Sequence, residues 1–385
     1  MLGFWNTVKR EIARMGSRKM YFFAMVAVPL FILLFFVGLL SPGLPLKVPT
    51  AVVDLDHSEL SREVTRNLNA MELIDIDRRL ESYDQAMTAI RRGEIFGFIV
   101  IPSDFQKDAV AGRTPTLEYY NNLTYFVPGT LAFKGFKTIS VATAMGVVKS
   151  EIQAIGVTDD VASGLLQPVA VAQHPIGNPW MNYNYYLSPS FCLGAMALMI
   201  MLMTVFSITM EIKNGTSTGW LASSHGHITV AILAKLFPHF IVWSVICQFM
   251  LSLFFCWLHF PAGHLGLMSI AIELFVIANM GMGVLWCSIV PNPRFALILA
   301  ALTGILSFSF LGFSFPVQSM YGAVAIFSYI MPTRYMFLIY IINGLNDFPL
   351  YYSRVYFAVL VAMPFICCLL LPRLKKACLN PVYVP

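Results

Sequence analysis

The chain has 385 residues, 58% apolar and only 12% charged, with a formal net charge of +5, whereas an average soluble domain is roughly 25% charged. That much apolar surface cannot be hidden in a soluble fold, so composition excludes a soluble globular protein and points to several membrane spans. The basic excess flanks apolar runs and forms no patch interleaved with stacking aromatics, which leaves nucleic acid out of the expected partners.

Acidic residues divide the chain. Sixteen of the twenty lie in one block, 41–184, between two uncharged apolar runs, Met20–Leu40 and Tyr185–Met210; the remainder are Glu11, Glu211, Glu273 and Asp347. A water-exposed domain inserted after a first span accounts for this layout. None of the seven cysteines falls in the block, so no disulfide framework is expected there.

In chain order, residues 1–19 come first. Phe4, Trp5, Val8, Ile12 and Met15 recur every three to four positions, with Lys9, Arg10 and Arg14 on the other face. This predicts a basic amphipathic helix lying in the cytoplasmic membrane interface; a charged flank with incidental spacing is the plainer alternative. Residues 20–40 are too long for the apolar core of a cleaved signal peptide and read as a retained span, TM1.

Within 41–184, Val48–Asp54 is a β-branched run, Ser58 is placed to cap a helix carrying Leu60, Val64 and Leu68, and Leu73–Ile76 alternates like a strand. Ser82–Arg92 reads as a helix, Phe96–Ile101 as a strand stopped by Pro102, Ser103–Ala111 as a short helix and Thr116–Tyr120 as a strand. The alternation predicts a small α/β unit on one sheet. Phe126–Ile155 follows as a long helix, and residues 157–184, with Pro168, Pro175 and Pro179, read as irregular.

A span needs about 20 apolar residues. Six runs qualify: residues 20–40, 187–210, 236–258, 265–290, 295–315 and 353–371. A seventh, Met320–Ile342, is interrupted by Pro332 and Arg334. Six crossings place Lys9, Arg10, Arg14, Arg18, Lys19, Lys213, Lys235, Arg294, Arg373, Lys375 and Lys376 on one side, as the positive-inside bias expects. Seven crossings would put the Arg373–Lys376 cluster outside. The seventh run is therefore expected to be a re-entrant helical pair within residues 316–350, its broken helix buried in protein or lining a wet cavity. Both termini, with the tail 372–385, are then cytoplasmic.

Intramembrane polar residues have two readings each. Glu273 lies about two turns into the fourth span, where a central carboxylate costs about 2.5–3.5 kcal/mol; it bonds another helix or serves a proton or substrate pathway. Asn279, about 240° further around that helix, shares no face with it. Lys235 and His239 are expected to snorkel to headgroups, and Arg334 to pair with Asp347. Met199 and Met203, in a run of five methionines along the second span, and Phe310 join Glu273 and Asn279 as candidate pathway residues for hydrophobic cargo, with ordinary packing the plainer use. His225-Gly-His227 has no Cys or carboxylate at ligand spacing and gives weak support for a metal. Asn122-Leu-Thr124 fits a glycosylation pattern. There is no Gly-x-x-x-x-Gly-Lys-Ser/Thr phosphate loop, no dinucleotide fingerprint and no nucleophile–base arrangement, so no cofactor is expected in this chain.

Motifs around spans two to five are more specific as an ordered set: Met210-Glu211-Ile-Lys213-Asn-Gly215-Thr216, Ala234-Lys235-Leu-Phe-Pro238, Gly312-Phe-Ser-Phe-Pro316-Val-Gln318 and Met331-Pro332-Thr333-Arg334-Tyr335, with Asn178-Pro179-Trp-Met-Asn-Tyr183 and Tyr186-Leu-Ser-Pro189 ahead of span two. Over nearly the whole chain this resembles the membrane subunit of type-2 ABC exporters, the branch with a large extracytoplasmic domain between the first two spans. The resemblance implies a polytopic α-helical permease of six transmembrane helices plus a re-entrant pair. It implies a second permease copy or a paralogue, a separate ABC ATPase subunit that carries ATP and Mg, and a bacterial inner-membrane location among membrane lipids. A periplasmic adaptor with an outer-membrane channel is a plausible addition. The loop 211–227 would be the coupling helix, with Glu211, Lys213, Gly215 and Thr216 meeting the ATPase; Ser217-Thr218-Gly219 and Ser223-Ser224-His225 depart from the usual family residues there. The expected function is export of a hydrophobic, lipid-like or drug-like substrate by alternating access. A non-transporting receptor or anchor whose outer domain is a binding module is the alternative from another class.

Overall fold

The computed structural model describes residues 2–113, 115–166, 176–179, 181–261, 263–313 and 315–381. They form two compact units, Met1–Gly43 with Pro175–Pro385, and Leu44–His174. The calls on Pro168 and Pro175 lie outside the described residues.

The first unit opens with helix α1 (Leu2–Ser17), which ends where Arg18 turns extended. α2 (Lys19–Phe22), a π turn at Phe23–Ala27 and α3 (Val28–Leu39) then make one apolar rod, Lys19–Leu39. Pro29 brings no N–H to its turn, and the helix widens just ahead of it, Val28 N–H donating to the Phe23 carbonyl five residues back.

The second unit is built on a four-stranded sheet, β1 (Val48–Asp54), β2 (Ile74–Leu80), β3 (Gly97–Ile101) and β4 (Glu118–Asn121), in the order β2-β1-β3-β4. β1 runs parallel to both neighbours and β4 is an antiparallel edge. A central parallel strand is covered on both faces and therefore reads as a continuous apolar run. Val48 and Val52 face one core, with Val64, Leu68, Ile99 and Phe136, while Ala51 and Val53 face another, with Ala86, Ala89 and Phe98. α4 (Glu59–Asn69) starts on Ser58, whose hydroxyl accepts the Ser61 N–H at 3.1 Å, and α5 (Tyr83–Arg91) starts on Ser82 in the same way with Gln85. α6 (Phe105–Val110) precedes β4; α7 (Phe126–Ala154) and α8 (Asp159–Leu166) follow it.

α7 is long and apolar enough to cross a membrane by length and composition. Its first half is nevertheless a domain helix: Leu131, Ala132 and Phe136 are buried against the sheet, and a Cβ on Gly135 would lie 2.3 Å from Ile74 Cδ1, so a side chain there would have to displace Ile74.

The first unit resumes with α9 (Asn184–Lys213), the short α10 (Ser217–Ser223), α11 (Ile228–Ser252, prolonged by a π turn to Trp257), α12 (Leu265–Ile289) and α13 (Pro293–Ser309). α9 lies at its centre. Gly304 of α13 admits Leu198, Gly194 of α9 admits Phe308, and Gly283 of α12 admits Thr204. Such close approach through small residues is how membrane helices gain contact when lipid is as apolar as the helices. The outer faces are apolar as well, with Phe31 and Phe35 on α3, Leu233 and Val245 on α11, and Ile298 and Ile305 on α13 exposed.

Among the described residues, helices long and apolar enough to cross number six, or seven if the bent pair described below is one span, and the set differs from the expected one: α7 passes and α13 does not. At 17 residues α13 is about 26 Å long against a hydrocarbon core of about 30 Å. The expected span to residue 315 stops early: α13 ends at Ser309, and the chain then turns through Gly312 (φ +89°). α14 (Gly322–Ile330) and α15 (Pro332–Ile339, prolonged by a π turn to Leu345) meet at 79° across Met331, with Pro332 opening the second helix, where its missing N–H does no harm. α16 (Leu350–Cys368) and α17 (Leu371–Leu379) complete the chain.

Phe98 tests the sheet core. It is fully buried and stacked on Tyr120 at 4.8 Å. Phe98→Ala is expected to cost about 3–5 kcal/mol and to make the 44–174 unit the first cleaved in urea-dependent proteolysis of the full chain; an unchanged cleavage midpoint would refute the assigned core.

Candidate functional site

At one end of the first unit, three helices converge on a buried cluster of charges. Glu11 comes from α1, Glu211 from the last turn of α9, and Lys235 and His239 from one face of α11; each is 1% exposed or less. Lys235 Nζ donates to Glu11 Oε2 at 2.5 Å and to Glu211 Oε1 at 3.0 Å. His239 Nε2 lies 3.0 Å from Glu11 Oε1. Glu211 also receives Arg10 Nη2 at 2.8 Å, Arg14 Nη1 and the Thr216 hydroxyl.

Sequence spacing explains the convergence. On α1, Gly3, Thr7 and Glu11 recur every four residues and are buried, while Trp5 and Ile12 are exposed. The protein-facing side of α1 thus mixes polar residues with the buried Val8. A Cβ on Gly3 would meet His225 Cδ2 at 2.6 Å, and Thr7 Oγ1 shares a hydrogen bond with Ser223 Oγ at 2.8 Å, so α1 also docks on the segment that carries α10. Lys235 Nζ sits 5.3 Å from the centroid of the Trp220 ring on α10, and Trp220 Nε1 donates to the Ala231 carbonyl of α11. Ser217 donates to the Cys378 carbonyl of α17 at 2.7 Å.

The end of α9 is closed by a Schellman turn. Thr216 N–H returns to the Glu211 carbonyl at 2.9 Å and Gly215 N–H to the Ile212 carbonyl at 3.1 Å, with Gly215 at φ +67°. A side chain at 215 would be strained in this left-handed conformation. Lys213, Asn214, Gly215, Thr216, Thr218 and Gly219 are exposed, while Trp220 and Leu221 are buried.

Burial alone would raise the Glu11 carboxyl, but the His239 hydrogen bond and the Lys235 ammonium outweigh it and hold Glu11 below the ordinary carboxylate range. Three permanent cations, Lys235, Arg10 and Arg14, meet two carboxylates. Such a cluster gains little over an apolar core, yet removing one member strands the others without water.

Several expectations about polar residues are corrected. Lys235 and His239 do not snorkel, because two carboxylates meet them inside the protein. Arg10 and Arg14 reach inward to Glu211 instead of remaining on a headgroup face. Arg334 does not pair with Asp347: its guanidinium lies over the Tyr329 ring at 5.0 Å, and Asp347 faces His264 at 3.7 Å. Glu273 is held by the Ser244 hydroxyl and by Gln248 Nε2 at 2.8 Å, both on α11, so it joins two helices. Asn279 is buried and donates to the Phe275 carbonyl of its own helix. Met203 is buried and Met199 half-buried on α9; Phe310 stacks on Phe327; Pro316 is exposed and Pro332 buried. Of the residues singled out from the sequence, the structure gathers Glu211, Gly215 and Thr216 in one place. Glu11 was not anticipated, although one carboxylate in a basic amphipathic helix is itself a signal.

Lys235→Met should leave two buried carboxylates facing each other and destabilise the folded chain by about 3–5 kcal/mol, read as a lower unfolding midpoint in nanodiscs; Glu11→Gln in the same chain should recover part of it. Because Glu11 has a lowered value in the folded chain, its contribution is present above the unfolded carboxylate range and is lost as pH falls through the lowered value. Thermal stability should therefore fall as the pH drops below about 4.3, more shallowly in Glu11→Gln; equal slopes would contradict the assignment.

The sequence pattern of the family described as "ABC-2 family transporter protein" matches residues 19–371, from α2 to the start of α17. Comparison with individual curated proteins gives no match. A match over most of the chain, on a polytopic bundle whose short polar connection is anchored to three helices, shows that this chain belongs to the ABC-2 transporter family and is a multi-pass type-2 ABC permease, a membrane transport component distinct from a nucleotide-binding subunit.

Proposed function

We propose that the chain is the permease half of an ATP-driven exporter. The carrying observation is the exposed turn Lys213–Thr216 with α10, set on the buried cluster that joins α1, α9 and α11. The family implies an ATPase partner, and this turn is where it docks, as the coupling segment. ATP and Mg bind in the partner, two permease chains pair, and closure of the two ATPases draws the coupling segments together and reshapes a path beside α9 and α13. The docking end faces the cytoplasm of a bacterial inner-membrane protein with both termini inside. The α14–α15 pair is re-entrant from the opposite side, where its sharp bend suits a segment that enters and returns. The 44–174 unit is extracytoplasmic, open to a periplasmic adaptor.

The cargo in this reading is hydrophobic or lipid-like. Support comes from the apolar composition of α9, with Met199 and Met203 among its adaptable side chains. Glu211 acts here as an internal anchor for the coupling segment and not as a direct contact with the ATPase, since its carboxylate is wholly enclosed.

Gly215→Pro removes the N–H that closes the turn and fixes φ at about −65°. In vesicles that hold permease and ATPase, this variant is expected to lose most ATP-driven movement of a fluorescent phospholipid while the chain still assembles in the membrane. Native transport rates in the variant would refute the coupling assignment, and ATP-driven movement toward the ATPase-bearing face would refute export.

A further inference from the structure

The unit Leu44–His174 holds a cleft of about 460 Å³ between α6, the segment leading to β4, and the second half of α7. Small-molecule sites are typically about 300–1,000 Å³, mostly apolar, with a few polar groups that fix orientation. The walls here are Phe105, Leu117, Ala144, Val147 and Val148, and the remaining lining includes Ser140, Thr143, Arg113 and Glu151.

The two hydroxyls are the informative part. A Ser or Thr in a helix ordinarily donates to a carbonyl one turn back. On α7, Thr130, Thr138 and Ser150 all do so. Ser140 Oγ and Thr143 Oγ1 do not; both are shielded from bulk water and neither has a hydrogen-bond partner. Three residues apart, they share one face of the helix, the face that lines the cleft. Two neighbouring O–H donors without an acceptor match one carbonyl oxygen, which has two lone pairs.

The remaining lining sets the rest of the ligand. Phe105, Leu117 and the α7 valines offer only dispersion contacts and suit an alkyl or aryl body. Arg113 is already paired with Asp108 at 2.7 Å, and Glu151 brings an opposite charge, so the lining has no surplus cation to hold an anion. We infer that this cleft is a binding site for a neutral amphiphile, an apolar body bearing an amide or ester carbonyl, with Ser140 and Thr143 donating to that carbonyl.

The test uses the full-length chain in nanodiscs and a dodecanamide with a diazirine in its alkyl chain. After photolysis, label is read by peptide mass spectrometry. The expected result is label on peptides covering Ala109–Leu117 and Ser140–Val148. Ala144→Trp, at an exposed position where the ring can fill the cleft without entering the sheet core, should abolish it. The Ser140→Ala/Thr143→Ala pair should lower apparent affinity about fivefold or more, with an unchanged unfolding midpoint, and Ser140→Thr should retain native labelling. Label confined to the membrane helices, or label at the cleft that neither Ala144→Trp nor the double alanine variant reduces, would overturn the assignment. The readout needs neither ATP nor transport, so its failure leaves the export reading standing, and the reverse holds too.

Discussion

A single ammonium group, Lys235 Nζ, sits between two buried carboxylates, Glu11 and Glu211, that belong to helices far apart in the chain. The rest of the bundle end depends on this contact. α1 docks through a mixed stripe: Val8 is buried and Phe4 meets Phe237 of α11, beside the buried Glu11, while Ile12 faces outward. Glu11, Arg10 and Arg14 add ion pairs to that packing, with Thr7 and Gly3 fitting against the α10 segment. α9, α10 and α11 meet at the same place through Glu211, Thr216, Trp220 and Lys235. A displacement of α10 is therefore felt at once by α1 and by the two longest helices of the unit.

Packing away from the cluster follows a different rule. Along α9, close contact comes from glycines opposite bulky neighbours, and outward faces stay apolar because lipid is the solvent. Charge is tolerated in that environment only where it is paired. Glu273 with Ser244 and Gln248, Arg334 over Tyr329, and the Lys235 cluster each satisfy that condition in a different way. The first joins α11 to α12, the second steadies the bent pair, and the third joins α1, α9 and α11.

Much of the fold was legible in the sequence where local chemistry decides it. Ser58 and Ser82 cap helices, the β-branched run at 48–54 forms the central strand, and Gly215 closes α9 because only glycine is at ease at its φ. The turn at Lys213–Thr216 was marked from its own residues as a short polar connection between two helices. The buried cluster was not, because periodicity reports which face of a helix is apolar and is silent on what a polar face meets. Lys235 and Glu11 are 224 residues apart, and an i, i+4 pair of Lys and His in an apolar run looks the same whether it reaches headgroups or carboxylates. The length of α13 was misjudged because Phe310, Leu311 and Phe313 continue the apolar run past its end at Ser309. α7 passes a length and hydropathy test for a span, and it was its place inside the charged block that marked it as a domain helix.

The central claim is that α1 and the segment carrying α10 move as one body because the cluster joins them. Spin labels at Asn6 on α1 and Thr218 on α10, both exposed, measure this by pulsed dipolar spectroscopy on the permease–ATPase complex in nanodiscs. The account predicts one narrow distance distribution that is the same with and without ATP, and that broadens in Lys235→Met. An ATP-dependent change in that distance with Lys235 intact would contradict it.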